Sequence, residues 1–170
     1  SPYGVSKVAA EMAAALVAGR HQLTLMRVRP FFLIGPRKRG DVCSDFARGI
    51  VQAERQGGGR LRIGRLDIVR DLLDIRDGVR ALETVAGRGV AGEVYNICSG
   101  RGYALREVLD RLRALSPVAL AEEVDPALLR PVDEPVKVGD PARLCALGWA
   151  PRHTIDESLG AILDYWRSEA

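Results

Sequence analysis

The sequence predicts an α/β fold built on a parallel sheet. Helical and extended runs alternate along the chain, and Gly or Pro marks most of the changes between them. The first extended run, residues 22–29, carries Leu23, Leu25, Met26 and Val28. That apolar density is the pattern of a strand buried on both faces, as central strands of parallel sheets are. With 170 residues, 47% hydrophobic and 28% charged, the chain has the size and composition of one globular domain.

The elements follow in order. The opening helix runs from about Pro2 to Ala18, because residues 9–16 are almost all strong helix formers, and Gly19 reads as its C-cap. Val5, Ala9, Met12, Ala13 and Leu16 recur at helical spacing as its packing face. Pro30 ends the strand over 22–29, and residues 31–40 read as a loop at its carboxyl end, where such sheets bind ligands. Ser44 is the expected N-cap of the next helix, and Gly57, Gly58 and Gly59 break it. Leu61 and Ile63 alternate with Arg60 and Arg62 in a short strand over 60–64.

Asp74 caps a helix over 75–86, and Asp71, Asp74 and Asp77 read together as carboxylates favoured by its N-terminal dipole, with no metal role. A strand over 92–98 sets Val94, Asn96 and Cys98 on one face and Tyr95 and Ile97 on the other. Leu105, Val108, Leu109, Leu112 and Leu115 line one side of an amphipathic helix. Residues 125–135 are Pro-rich and irregular. Asp140-Pro141 opens a helix that Gly148 closes. Thr154 and Glu157 form a capping box ahead of a last helix that packs Ile155, Leu159, Ile162, Leu163 and Trp166.

Several classes are excluded or disfavoured. No run of about 18 apolar residues is present, so no membrane span is expected, and the first residues lack the pattern of a signal peptide. A net charge of +3 is too small to argue for nucleic acid. Cys43, Cys98 and Cys145 are odd in number and far apart, which points to reduced, buried thiols in a cytoplasmic protein rather than zinc or disulfides. His21 and His153 form no ligand cluster. The basic residues are nearly all Arg, which suits bidentate phosphate binding and equally fits a bias in genomic base composition.

The chemistry concentrates in Ser1-Pro2-Tyr3-Gly4-Val5-Ser6-Lys7. Tyr3 and Lys7 fall one turn apart on one helix face, and an ammonium so placed favours the phenolate and suits the phenol to proton transfer. On spacing alone, an ordinary surface pair opening a helix is the alternative. The whole segment, running into an Ala-rich helix, resembles the Tyr-x-x-x-Lys segment of the extended short-chain dehydrogenase/reductases, the NAD-dependent epimerase/dehydratase family. The resemblance continues through Arg29-Pro30-Phe31-Phe32-Leu33-Ile34-Gly35-Pro36, through Arg70-Asp71-Leu72-Leu73-Asp74-Ile75-Arg76-Asp77, through Tyr95-Asn96-Ile97-Cys98-Ser99-Gly100 and through Arg130-Pro131-Val132-Asp133. It narrows to the enzymes of GDP-mannose and GDP-6-deoxy-hexose metabolism and covers nearly the whole chain.

That resemblance implies the C-terminal part of a Rossmann-like doubly wound parallel sheet with a small α/β substrate-binding domain. Residues 1–40 would close the cofactor domain and 41–170 would form mainly the substrate domain, with 68–98 returning to the Rossmann-like sheet. It implies NADP or NAD as cofactor, with Tyr3 and Lys7 catalytic and also touching the cofactor. Leu33 and Lys38 hold further cofactor positions, and Phe32, Arg70, Arg130 and Asp133 hold substrate positions. Phe32 and Leu33 depart from the family pattern, which has Asn and His there. The implied ligand is a GDP-linked hexose, and the implied assembly is a homo-oligomer, a dimer through the Tyr3–Lys7 helix. A glycine-rich Gly-x-x-Gly-x-x-Gly turn is missing, so the chain reads as the C-terminal half of such an enzyme. The expected reaction is reduction of the C4 ketone of a GDP-6-deoxy-4-keto-hexose. The alternatives are 4,6-dehydration of GDP-mannose, another nucleotide-sugar epimerase or dehydratase reaction, or a truncated non-catalytic module that binds a nucleotide-sugar or a partner.

Overall fold

A computed structural model describes residues 1–129 and 134–169. Helix α1 (Pro2–His21) opens the chain and continues through Gly19, the expected cap. The cap is Gln22 instead, in the left-handed region at φ 54°, with its N–H on the Ala18 carbonyl. The strand that follows, β1 (Arg27–Pro30), is shorter than expected, and it is half-buried to exposed rather than enclosed on both faces. Among the described residues it pairs only with β5 (Val94–Ile97), in parallel, from Arg27 with Val94 to Pro30 with Ile97.

Residues 31–40 are not all loop. The Phe31 N–H still bonds the Ile97 carbonyl, but the next three residues turn away as strand β2 (Phe32–Ile34). That strand lies parallel to β4 (Val69–Asp74), Phe32 opposite Leu72 and Ile34 opposite Asp74. β4 also takes β6 (Gly102–Ala104) antiparallel and β8 (Val136–Lys137) parallel. A third sheet pairs β3 (Gly59–Ile63) with β7 (Leu120–Val124) in parallel.

Helix α2 (Val42–Gln56) links β2 to β3, and its N-cap is Asp41, not Ser44. The Asp41 carboxylate accepts from the Cys43 and Ser44 N–H groups at 3.0 and 3.3 Å, while Ser44 lies buried within the first turn. Gly57 ends the helix at φ 73°, a conformation that costs a residue without Cβ little. Its apolar face meets α4 (Leu105–Ala114) and α6 (Ile155–Ser168) in the larger core cluster, which holds Phe46, Ile50, Leu61, Leu109, Ile162 and Trp166. A smaller cluster under α3 (Ile75–Arg88) and α5 (Ala142–Ala146) joins Leu73, Ala81, Val85, Tyr95, Ile97, Leu144 and Trp149. The Thr154–Glu157 capping box is formed in full. Cys43 and Cys98 are buried as expected, but Cys145, on the short α5, is exposed.

The three aspartates do not act as one group. Asp74 is the N-cap of α3 as expected, accepting from the Arg76 N–H at 2.8 Å. Asp77, in the first turn, instead holds the α5–α6 connection, accepting from the Arg152 and His153 N–H groups at 3.0 and 2.9 Å. Asp71 lies inside β4, away from the helix start, and is buried because that strand is covered on both faces. It takes four hydrogen bonds, from the Ser99 N–H and hydroxyl and from the N–H groups of Gly100 and Gly139. That full satisfaction is what makes a buried carboxylate tolerable. At Gly139 a Cβ would stand 2.5 Å from Cys98 Sγ, so the close approach that delivers its N–H needs glycine. No helix among the described residues is long and apolar enough to cross a membrane.

Candidate active site

The site begins with α1. Ser1 caps it by accepting the Gly4 N–H at 3.2 Å, and Pro2 occupies its first turn, where no N–H is needed. Helical spacing then stacks Tyr3 and Lys7 on one face, with Lys7 Nζ 5.1 Å from the centroid of the Tyr3 ring. Both are exposed, Tyr3 at 72%. One turn further on, Glu11 meets Arg29 of β1 through two bonds of 2.8 and 2.7 Å. The hydrogen bonds from Arg29 hold the Glu11 carboxyl below its ordinary value. This fork, rather than the apolar face, ties the helix to the sheet: of the α1 residues only Ala18 is buried. The pair spans unrelated segments, so no sequence spacing announces it.

A cavity of about 950 Å³ opens beside β2, between α2, β3 and β4. Phe32, Lys38 and Arg70 all line it. Arg70 is 8% exposed, and its Nη1 donates to the carbonyls of Val69 and Glu134, both at 2.8 Å. Its guanidinium carbon lies 5.6 Å from the centroid of the Phe32 ring. Lys38 Nζ donates to the Leu33 carbonyl at 2.7 Å and stands 3.9 Å from the Asp41 carboxylate. The Leu33 side chain points the other way, half-buried in the smaller core against Gly78 of α3. The structure therefore brings Phe32, Lys38 and Arg70 to one cavity and keeps Tyr3 with Lys7 on α1. Arg130 and Asp133 lie outside the described residues.

Other cavity residues were not singled out from the sequence. Arg60 and Arg62 project from the exposed face of β3, where Arg62 pairs with Asp125. Their alternation with Leu61 and Ile63 was a readable signal for a basic wall. Arg39 and Arg48 both approach the Trp166 ring, at 5.8 and 5.2 Å, a contact between distant segments that no local pattern shows. Arg39, Arg48, Arg55, Arg60, Arg62, Arg65 and Arg70 share the lining with apolar residues and with Asp41 and Asp45, and their guanidinium groups are suited to an anionic, phosphate-bearing ligand. Burial, with Asp71 nearby, pushes the Cys98 thiol up to about 12, which leaves it inert. Among the described residues, no group of three His, Cys, Asp or Glu side chains could hold a metal ion.

A parallel α/β framework and a Tyr-x-x-x-Lys helix, with a cavity that several arginines help to line, agree with the class shown by the comparisons with known proteins, the extended short-chain dehydrogenase/reductases. Within that class the chain belongs to the GDP-mannose 4,6-dehydratase family, whose model matches residues 1–161. It is 38% identical over 172 residues to the GDP-6-deoxy-D-mannose reductase of Pseudomonas aeruginosa, covering 99% of this chain and 56% of that protein. A solved structure from P. aeruginosa, described as RMD complexed with NADPH, superposes with a TM-score of 0.92 at 35% identity, covering 100% of this chain and 57% of that one. The UDP-glucose 4-epimerase of Thermotoga maritima, solved with UDP-glucose, gives a TM-score of 0.85 at 25% identity over 99% of this chain and 54% of its own. The chain spans about half the length of the curated relatives it matches.

Proposed function

We propose that this chain, as part of a longer protein, reduces the C4 ketone of a GDP-linked 6-deoxy-4-keto-hexose with NADPH in the cytoplasm. The observation that carries the reading is the Tyr3–Lys7 pair, ammonium over phenol ring and both groups open to a ligand, in a chain 38% identical to a GDP-6-deoxy-D-mannose reductase. Tyr3 Oη would give its proton to the alkoxide forming at C4, with the Lys7 ammonium one helical turn away. The exposed hydroxyl and ammonium also fit the nicotinamide-ribose end of NADP(H), with Lys38 on the loop after β2 and Leu33, its side chain half-buried in the smaller core, within β2 as the further cofactor positions. When bound, that cofactor supplies the hydride. Arg70 and the basic cavity wall would hold the substrate diphosphate, so that binding energy remote from the reaction orients the sugar.

We also infer that residues 1–40 and 68–98 belong to the cofactor domain and most of 41–170 to the substrate domain, supported by the β1–β5 pairing. The exposed apolar residues Val5, Val8, Met12 and Leu16 support a homodimer through α1. The test is consumption of NADPH by the purified full-length protein given a GDP-4-keto-6-deoxy-hexose. Turnover is expected. The family description favours GDP-mannose 4,6-dehydration as a second reading. Loss of water from GDP-mannose without NADPH consumption would replace the first reading by that one.

A further inference from the structure

We propose that Phe32 is a positioning residue for Arg70, the ring acting as the platform on which the guanidinium is aimed into the cavity. This rests on the reading just given, that the cavity takes a nucleoside diphosphate. Phe32 stands opposite Leu72 across the parallel β2–β4 pair, and Arg70 lies two residues before Leu72 on the same strand face. The two side chains are thus diagonal neighbours, close enough for long or aromatic groups to meet. They do meet, at 5.6 Å from guanidinium carbon to ring centroid. Nη1 is simultaneously held by two carbonyls at 2.8 Å, Val69 on its own strand and Glu134 beside β8.

A long side chain crossing a cavity wall has several rotamers of similar energy. Here two carbonyls hold Nη1, and the ring adds an orienting contact by attracting the cation to its face. Phe32 is 37% exposed and lines the same cavity, so the ring touches the space where the ligand sits as well as the arginine. An aliphatic side chain at position 32 would fill similar volume but has no negative face for the cation. The identity of residue 32 therefore sets the aim of Arg70 and, through it, the affinity for the phosphates.

The test is a double-mutant cycle in the full-length protein, read by calorimetric titration with GDP and UDP. Phe32→Leu is expected to weaken GDP binding about tenfold, the size of a partly desolvated cation–π contact. Phe32→Tyr, which keeps the π face, recovers most of that loss. In an Arg70→Gln background, Phe32→Leu changes GDP affinity less than twofold. A merely structural role for the ring would instead cost affinity equally in both backgrounds, and that result overturns the proposal. So does a folded Phe32→Leu protein that binds GDP as the wild type does. If Phe32→Leu fails to fold, the proposal stands or falls on Phe32→Tyr, where a tenfold loss overturns it and near-wild-type binding supports it. A wild-type protein that binds neither nucleotide overturns the nucleotide-sugar reading itself, and this proposal with it.

Discussion

Asp74 stabilises the fold most when it is charged. Burial pushes its carboxyl up, but bonds from the Arg76 guanidinium, the Ser158 hydroxyl and the Arg76 N–H outweigh that and leave it at about 2. The folded value lies below the unfolded one of about 4. Its contribution is therefore complete above about pH 4 and is lost as pH falls toward 2. Asp74→Asn should remove about 1–2 kcal/mol at pH 7, discounted for the half-open Arg76, and should flatten the stability profile between pH 4 and 2. Urea denaturation at a series of pH values checks this, and an unchanged acid slope would contradict it. At Tyr3 the expectation is kinetic: Tyr3→Phe in the full-length protein lowers turnover by about 10²–10⁴-fold with GDP affinity retained. Saturating keto-sugar rates decide it, and a loss smaller than about tenfold would assign the proton to another group. Among the cysteines, Cys145 alone should react with a maleimide in the folded chain, since Cys43 and Cys98 are buried and burial raises both thiols. Mass spectrometry of the labelled peptides reads the outcome directly.

Helices α1 and α6 illustrate two ways a helix is held. α6 buries Ile155, Leu159, Ile162, Leu163 and Trp166 and starts on a complete capping box, Thr154 Oγ1 accepting the Glu157 N–H at 3.2 Å while the Glu157 carboxylate takes the Thr154 N–H at 2.7 Å. Thr154→Ala should cost about 1 kcal/mol in chemical denaturation. A change within error would show that core packing alone sets that helix start. By contrast, α1 has helix-forming composition and a cap but almost no burial, and it meets β1 through the Glu11–Arg29 fork. Propensity and capping make it a helix, while its apolar residues stay exposed apart from Ala18.

At the scale of the whole molecule, that exposed face and the second edge of β1 have one consequence. Val5, Val8, Met12, Leu16 and Leu23 are exposed beside a strand that, among the described residues, pairs on one side only. Apolar surface next to open strand donors and acceptors invites association. The isolated 170 residues should therefore be poorly soluble or sediment as an oligomer, and should bind NADPH more weakly than about millimolar without a glycine-rich turn for its pyrophosphate. Light scattering and fluorescence titration test both halves. A soluble monomer with micromolar affinity would mean that the chain closes its own edge and carries another cofactor site.

What the sequence determined by itself was whatever depends on near neighbours along the chain. Helical spacing put Tyr3 over Lys7, alternation buried Leu61 and Ile63 and exposed Arg60 and Arg62, and Asp74 and the Thr154 box capped their helices. The family resemblance, carried by motifs of a few residues each, reached the parallel framework and named Phe32, Lys38 and Arg70, which the fold gathers at one cavity. Tertiary structure decided the rest, because hydrogen bonds between distant segments leave no spacing to read. It moved the α2 cap from Ser44 to Asp41, where the chain leaving β2 presents a carboxylate to two N–H groups. It turned Asp71 from a helix-end charge into a buried acceptor for Ser99, Gly100 and Gly139, since β4 is covered on both faces. It also put an aromatic ring against Arg70, because two strands distant in sequence lie side by side with Phe32 opposite Leu72.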